Sequence, residues 1–111
     1  MDLAKPPRRF DIVLVGLDPT VGSEIRKTRP CVVVSPDDLN RALATVIIAP
    51  MTSTRWDAPF RVPIRFQGRD GSVTLDQIRT VDRSRVIRRL GVLDDATAAT
   101  VADRLVSMFQ L

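Results

Sequence analysis

The sequence contains no histidine, no tyrosine and only one cysteine, Cys31, among its 111 residues. Without histidine it cannot form a Ser-His-Asp triad, and it has no histidine pair to act as acid and base. A lone cysteine without histidine also leaves no ligand set for a structural zinc ion. Any catalysis must therefore use Arg, Lys, Asp, Glu, Thr or Ser side chains, and the sequence implies no cofactor or metal.

Cys31 lies within an apolar run and has no second cysteine with which to form an internal disulfide. This usage is typical of a reducing compartment, and it favours a small core side chain over a nucleophile. No apolar run approaches the roughly 18 residues that a membrane span needs, and the first residues lack the apolar stretch of a signal peptide. We therefore predict a cytoplasmic protein with no membrane contact.

The basic residues are almost all arginine. The net charge is +4, and 15 of the 17 basic residues are Arg, which leaves only Lys5 and Lys27 as lysines. Because the guanidinium fork matches phosphate in a bidentate manner, this favours a nucleic-acid or an acidic protein partner. The alternative, of equal weight at this point, is the codon bias of a GC-rich genome.

The pattern of short apolar runs predicts a mainly β fold with a C-terminal α-helix, arranged as a small, strongly bent β-barrel. Residues 1–8 are predicted to be a flexible N-terminal tail, and residues 9–111 a single domain. A helical turn over residues 36–43 is expected to be capped by Ser35, and a terminal helix over residues 94–111 by Asp94. Predicted strands cover residues 10–17, 30–35, 45–49 (ended by Pro50), 60–66, 72–75 and 86–90.

Two polar loops interrupt this apolar pattern. The first, residues 18–30, concentrates Glu24, Arg26, Lys27 and Arg29 into six positions between two apolar runs. The second, residues 51–59, contains Thr52, Ser53 and Trp56. Since loops that carry charge on a rigid scaffold are where function concentrates, both are candidate parts of a site.

Three segments of the sequence resemble, in order and spacing, motifs of the MazF/PemK family of toxin endoribonucleases. They are Gly22-Ser23-Glu24 with Thr28-Arg29-Pro30, then Ala49-Pro50-Met51-Thr52-Ser53, then Leu75-Asp76-Gln77-Ile78-Arg79-Thr80. The resemblance extends over residues 9–111. It implies an SH3-like barrel, a homodimer, and sequence-specific cleavage of single-stranded mRNA without a metal ion. It also implies an antitoxin partner whose acidic, extended tail covers the RNA groove.

The resemblance also implies which residues act in catalysis. Arg29 and Thr52 match the arginine and threonine to which the family's activity is mainly attributed. Some relatives use an arginine two residues before the Asp-Gln pair, and this sequence has Thr74 there, although Asp76 matches.

Cleavage without a metal needs a base for the ribose 2′-OH, stabilisation of the phosphorane, and an acid for the leaving oxygen. Arg29 suits the second task, because a guanidinium is a cation with a fork of N–H donors, whereas the resemblance favours it as acid or base. Glu24, the only glutamate, is the first alternative as base, and Lys27 and Asp76 are further candidates. Arg29 and Glu24 each have a structural alternative: Arg29 could merely pair with Glu24 or Asp76 at the surface, and Glu24 could only orient Arg29 or accept N–H groups of its own loop.

Several other side chains are predicted to contact the RNA: Ser23, Arg26, Lys27, Ser53, Trp56, Asp76, Gln77 and Arg79. Each has a structural alternative. Gln77 could satisfy backbone groups, Thr52 could bond its own turn, and Trp56 could cover the core or contact the antitoxin. The recognition sequence is expected to depend on the loops at residues 53–58 and 67–71.

Two other functions fit the same fold. One is a toxin that poisons DNA gyrase, although Phe109-Gln110-Leu111 does not clearly match the exposed helix tip of such proteins. The other is a catalytically silent RNA- or peptide-binding barrel. Neither gives the pairing of Arg29 with Thr52 a purpose.

Overall fold

The computed structural model describes residues 5–111, in which seven antiparallel strands form one curled sheet flanked by two α-helices. The strands are β1 (Asp11–Gly16), β2 (Thr28–Val33), β3 (Thr45–Thr52), β4 (Arg61–Phe66), β5 (Arg69–Thr74), β6 (Arg79–Asp82) and β7 (Val86–Val92). The helices are α1 (Asp37–Ala42) and α2 (Asp95–Phe109), and 3-10 turns cover Leu75–Gln77 and Arg83–Arg85. Within residues 5–111, no helix is long and apolar enough to cross a membrane.

Strand β3 organises the sheet, which runs β4-β5-β3-β2-β1-β7. One edge of β3 pairs with β2, and the other pairs first with β6 and then, at Met51 and Thr52, with β5. This change of partner along a single strand curls the sheet into a half-barrel. The predicted mainly β fold with a C-terminal helix is confirmed.

Alternating side chains divide the core between the two faces of the sheet, as the period of two along a strand requires. On one face, Ile12 and Val32 pack with Val101 of α2. On the other, their chain neighbours Val13 and Val33 pack with Cys31 and a second group of buried aliphatic side chains. Both clusters are fully buried, so the strand ends and the loops are left to form the sites.

Helix α2 begins where the sequence predicts, because the Asp94 side chain accepts a hydrogen bond from the backbone N–H of Thr97 at 2.7 Å. This bond satisfies one of the orphan donors of the first turn. The backbone and side-chain hydrogen bonds from Thr97 hold the pKa of Asp94 below its ordinary value. The carboxylate also lies at the positive end of the helix dipole, which favours its negative charge.

The prediction that Pro50 ends the third strand is wrong, since β3 continues to Thr52. Pro50 lacks an N–H, but it lies between the last residue paired with β6 and the first paired with β5. Its carbonyl is used, because the Thr74 hydroxyl donates to it at 2.6 Å. Pro50 therefore lies where β3 pairs with neither β6 nor β5, so the absence of its backbone N–H costs little.

The predicted cap of α1 is also wrong. Pro36 occupies the N-cap position and α1 begins at Asp37 with no side-chain cap. Ser35 is buried, and its hydroxyl instead accepts from the backbone N–H of Ile47 at 3.0 Å and donates to the side-chain oxygen of Asn40. Burial requires these partners, and they take the place of a cap.

Each predicted strand differs from the observed one by one to three residues at one end or both, and β6 is an additional strand. β2 begins at Thr28, two residues early, because Thr28 and Arg29 pair with Gly16 and Val15 of β1. Residues 79–82 form β6 despite their polarity, since Val81 alone faces the core while Thr80 and Asp82 are exposed.

The predicted tail, residues 1–8, falls partly on residues 1–4, which lie outside the described residues. Within the remainder, Pro7 is buried. The backbone N–H of Arg8 donates to Asp11 at 2.9 Å, and its guanidinium lies 3.5 Å from the Asp37 carboxylate.

Gly71 provides a test of this packing. A Cβ at Gly71 would collide with the carbonyl oxygen of Thr52, whereas a Cβ at Gly16 would meet no atom within 4 Å. We expect Gly71→Ala to lower the free energy of unfolding by about 1–3 kcal/mol, because β3 must move away from β5. Gly16→Ala, the matched control, should stay within about 0.5 kcal/mol of the unmodified protein. Denaturant unfolding measures both, and equal effects would contradict the close approach.

Candidate active site

One cleft, called the Arg29 cleft below, lies beside the β4–β5 hairpin, where β2 begins and β3 ends. Its volume is about 430 Å³. Arg29, Thr52 and Ser53 line it with polar groups, and the hairpin adds Gln67, Arg69, Asp70 and Gly71. Its apolar lining comes from Pro30, Met51, Ile64 and Phe66. An apolar surface beside cationic groups suits a molecule with a flat ring and a phosphate.

The pairing of β2 with β3 brings the two predicted catalytic residues together. Cys31 lies opposite Pro50 in this antiparallel register. Arg29 lies two residues before Cys31, and Thr52 lies two residues after Pro50. Because antiparallel strands run in opposite directions, both residues come to the same end of the pair and line the same cleft.

The Arg29 side chain is half-buried and largely unpartnered. Its Nε donates to the carbonyl oxygen of Arg26 at 2.8 Å. Within residues 5–111 its guanidinium makes no further hydrogen bond and no ion pair, so the structural alternative of a pair with Glu24 or Asp76 is wrong. Its two Nη groups are free to hold an anion, while the Nε bond fixes the direction of the guanidinium.

Thr52 belongs to a small group of hydroxyls. Its Oγ1 lies 3.1 Å from Oγ of Ser72 and 3.4 Å from the carbonyl oxygen of Thr54. Ser72 donates its own proton to the same carbonyl at 2.8 Å. Because the Ser72 proton goes to the Thr54 carbonyl, Thr52 is the donor in its 3.1 Å contact with Ser72. A rotation of the Thr52 hydroxyl would give that proton to a ligand oxygen in the cleft instead.

A second cleft of about 430 Å³, here the Gln77 cleft, adjoins the first. Strand β3 contributes Pro50 to this cleft and Thr52 to the other. Its remaining lining comes from the β1–β2 loop and the segment after β5: Val21, Ser23, Glu24, Ile25, Asp76, Gln77, Ile78 and Arg79. The predicted site residues are therefore divided between two neighbouring clefts.

Polar side chains of the Gln77 cleft hold the β1–β2 loop in place. Gln77 accepts from the backbone N–H of Ile25 at 2.7 Å, and its amide nitrogen lies 3.5 Å from the Ser23 carbonyl. Arg79 donates to the Leu17 carbonyl at 3.2 Å. The backbone-satisfying role considered for Gln77 is thus present, and it shapes the loop that carries Arg26, Lys27 and Glu24.

Both carboxylates considered as a base already have partners. Oε1 of Glu24 accepts from the backbone N–H of Val21 at 2.6 Å. Both oxygens of Asp76 accept from Arg61, at 2.7 and 3.0 Å. Asp76 is therefore held as a paired carboxylate, whereas Glu24 keeps its second oxygen free of any partner within residues 5–111.

The remaining predicted residues lie around the clefts. Arg26 and Lys27 have exposed side chains, and Lys27 adopts the left-handed backbone conformation with φ of 72°. Trp56 lines neither cleft. Sequence reasoning missed Arg61, Ser72 and the apolar lining of the Arg29 cleft, because strand-end side chains meet only when the sheet curls.

Cys31 lies beneath the site and is chemically quiet. Burial raises its pKa from 9.0 to about 12, against the opposing charges of Arg29 and Arg79. The thiol is therefore neutral, in agreement with its predicted core role. Among residues 5–111, no three carboxylate or thiol side chains converge in a way that could hold a metal ion.

Fold and site together define a small half-barrel protein with a C-terminal helix and adjoining clefts suited to an anionic, base-bearing chain. Residues 8–109 match the family model described as PemK-like, MazF-like toxin of type II toxin-antitoxin system. Because this match covers nearly the whole sequence, the chain belongs to the MazF/PemK toxin family, and the resemblance in its motifs is confirmed.

Individual relatives agree with this assignment. The chain is 32% identical over 104 residues to Endoribonuclease EndoA of Bacillus subtilis (strain 168), covering 88% of this chain and 90% of the relative. The crystal structure of MazF from Deinococcus radiodurans is 29% identical and superposes with a TM-score of 0.83, covering 96% and 98% of the two chains. A MazE-MazF structure (Form-II) from the same organism is 26% identical, with a TM-score of 0.76 over 96% and 97% of the chains.

The thiol of Cys31 predicts a pH dependence of stability. Because its pKa is 9.0 when unfolded and about 12 when folded, its stabilising contribution is complete below pH 9 and is lost as the pH rises toward 12. The sequence has no tyrosine and only two lysines, so few other groups titrate in this window. Denaturant unfolding between pH 8 and about 11 should show a steeper loss for the unmodified protein than for Cys31→Ala. Parallel curves would contradict the raised pKa.

Gln77 gives a second prediction. Gln77→Ala removes the acceptor of the Ile25 N–H, so we expect hydrogen exchange of residues 21–27 to accelerate while exchange in β1 and β2 is unchanged. Gln110→Ala, at the exposed end of α2, is the matched control. Exchange measured by mass spectrometry or NMR reports this, and unchanged protection of Ile25 would contradict the anchoring role.

Proposed function

We propose that the protein is a sequence-specific, metal-independent and ribosome-independent endoribonuclease that cleaves single-stranded mRNA, and that it is the toxin of a type II toxin–antitoxin module. One observation carries the proposal: the unpartnered Nη groups of Arg29 share a cleft with the hydroxyl of Thr52. Family membership and the endoribonuclease relative support the activity.

The reaction is attack of a ribose 2′-OH on the adjacent phosphorus. It forms a 2′,3′-cyclic phosphate on one fragment and releases a 5′-OH on the other. Charge builds on the non-bridging oxygens in the transition state, and a preorganised donor there contributes about 2.7–4 kcal/mol to lowering the barrier. Arg29 stabilises this charge through its Nη groups, and Thr52 donates its hydroxyl proton to the same phosphate.

The proton of the 2′-OH needs an acceptor. Arginine stays protonated at neutral pH, so Arg29 acts as an electrostatic stabiliser. Glu24 is the first candidate for the base, because the oxygen not bonded to Val21 has no partner within residues 5–111. Glu24 lines the adjoining cleft, so this role requires the RNA to pass from one cleft to the other.

The RNA is proposed to follow that path. Arg26 and Lys27 hold phosphates along the β1–β2 loop. Ser53 lies in the Arg29 cleft, and Trp56 lies beside the two clefts. The Gln77 cleft contributes four further contacts: Ser23, Asp76, Gln77 and Arg79. Their exposure or cleft position supports contact with RNA. The apolar lining beside Arg29 suits the nucleotide next to the scissile phosphate.

The biological assembly is part of the same proposal. One D. radiodurans structure is a MazE-MazF complex. By analogy, we propose that a cognate antitoxin with an acidic tail binds over the arginine-lined clefts of this toxin. Its binding would relieve the growth arrest that mRNA cleavage causes. A homodimer and a cytoplasmic location remain predictions. The gyrase-poisoning alternative has no support from the family model or the relatives described.

The decisive experiment uses purified, antitoxin-free protein and long single-stranded RNA in the presence of EDTA. We expect discrete fragments whose new ends carry 5′-OH and cyclic phosphate. Arg29→Ala should lower the cleavage rate about 100- to 1000-fold while leaving thermal unfolding unchanged. Arg41→Ala, the same substitution on exposed α1, should cleave normally.

Intact RNA with folded wild-type protein would overturn the proposed function. Full activity in Arg29→Ala would remove Arg29 from the mechanism while leaving the activity itself in place.

A further inference from the structure

Arg61, the first residue of β4, forms a bidentate ion pair with Asp76 of the Gln77 cleft. Its Nε lies 2.7 Å from one carboxylate oxygen, and its Nη2 donates to the other at 3.0 Å. The Arg61 side chain is 16% exposed and the Asp76 side chain 34% exposed, so the pair is partly shielded from water on the Arg61 side. An unpaired carboxylate at this position would repel the phosphates of a bound RNA, and Arg61 removes that repulsion.

The same guanidinium packs against an aromatic ring. Its central carbon lies 5.0 Å from the centroid of the Trp56 ring, within the range of a cation–π interaction. Phe60 meets the same indole edge to face, with centroids 5.3 Å apart and planes at 90°. Although these two side chains hold it, Trp56 remains 47% exposed. It is a fixed aromatic side chain with much of its surface open to solvent.

The base of this stack is fixed by backbone bonds. Ala58 and Arg61 exchange hydrogen bonds at 3.2 and 3.0 Å, closing the turn that follows Trp56. Arg104 of α2 donates to the carbonyl oxygens of Ala58 and Arg61, at 2.7 and 2.6 Å. Arg61 therefore extends from an anchored turn, and its guanidinium reaches the loop on one side and the cleft on the other.

We propose that Arg61 is a positioning residue that fixes Trp56, through the ion pair with Asp76, as a platform on which one RNA base stacks at the edge of the Gln77 cleft. A preordered indole loses little conformational freedom when a base stacks on it. The inference rests on the proposed ribonuclease function. It assigns to the Trp56 platform a modest nucleotide preference at one position of the recognition sequence, because bases differ in stacking strength.

Trp56 is the only tryptophan, so its fluorescence reports the platform directly. The cut site is first found by sequencing the ends that the wild-type protein makes in a random single-stranded RNA pool. A short RNA spanning that site, with a 2′-deoxy sugar at the cleaved position, is then titrated into the protein. We expect this uncleavable RNA to quench the fluorescence of Trp56 in proportion to binding.

Variants separate positioning from folding. Trp56→Ala and Arg61→Met should each weaken RNA binding about 5- to 150-fold, the range for loss of a stacking side chain, with the change in KM rather than kcat. Trp56→Phe should retain most of the affinity. Arg61→Met should reduce the quenching and relax the preference at one position of the cut site.

Arg8→Met is the matched control for charge, because Arg8 pairs with Asp37 of α1 at 3.5 Å and neither residue lines either cleft. It should keep the quenching and the cut-site preference. If Arg61→Met fails to fold, Trp56→Ala, in an exposed loop, carries the test alone.

The outcomes distinguish the two proposals. Cleavage by the wild-type protein, with unchanged affinity and cut-site preference in both variants and unchanged quenching in Arg61→Met, would overturn the platform and leave the ribonuclease intact. Quenching by an acidic peptide without aromatic residues, but not by the RNA, would assign Trp56 to a protein partner and also overturn it. Absence of any cleavage by folded wild-type protein would overturn the proposed function and the platform together.

Discussion

The antiparallel register between β2 and β3 is the constraint on which the rest of the site depends. With Cys31 opposite Pro50, the ends of the two strands bring Arg29 and Thr52 to one cleft. A slip of one residue would move Arg29 to the other face and exchange the core clusters in which Cys31 and Val32 pack. Burial of Val32 and Val33 on opposite faces holds the register, so the hydrophobic core also fixes the geometry of the candidate catalytic pair.

A second feature is that most polar side chains around the clefts hold the protein itself together. Gln77 and Arg79 bind the backbone of the β1–β2 loop, and Asp76 is neutralised by Arg61. Against these satisfied groups, Arg29 stands out, since its Nη groups have no partner within residues 5–111. In a protein without histidine, such preorganised charge is the available means of stabilising a transition state.

Sequence patterns predicted the β-rich fold, the Asp94 cap and the pairing of two loops into one functional region, because these depend on local composition and on the motifs. Other predictions were wrong where a residue from another part of the fold supplied a hydrogen-bond partner. Pro50 stays within β3 because Thr74 uses its carbonyl at the change of strand partner. Ser35 does not cap α1 because burial directs its hydroxyl to Asn40 and Ile47. Thr74 lies 24 residues from Pro50 and Ile47 lies 12 residues from Ser35, so neither contact is visible in a window of a few residues.

The sequence by itself predicted that Arg29 and Thr52 belong to a site, and it determined that any such site lacks histidine and that its scaffold is a small β-rich domain. Residue types and motif spacing carry that information. Only the tertiary structure decided that the predicted residues divide between two clefts, and that Arg61 connects Asp76 to Trp56. Those contacts join residues from different strands and loops, and their distances exist only after the sheet has curled and the core has fixed its register.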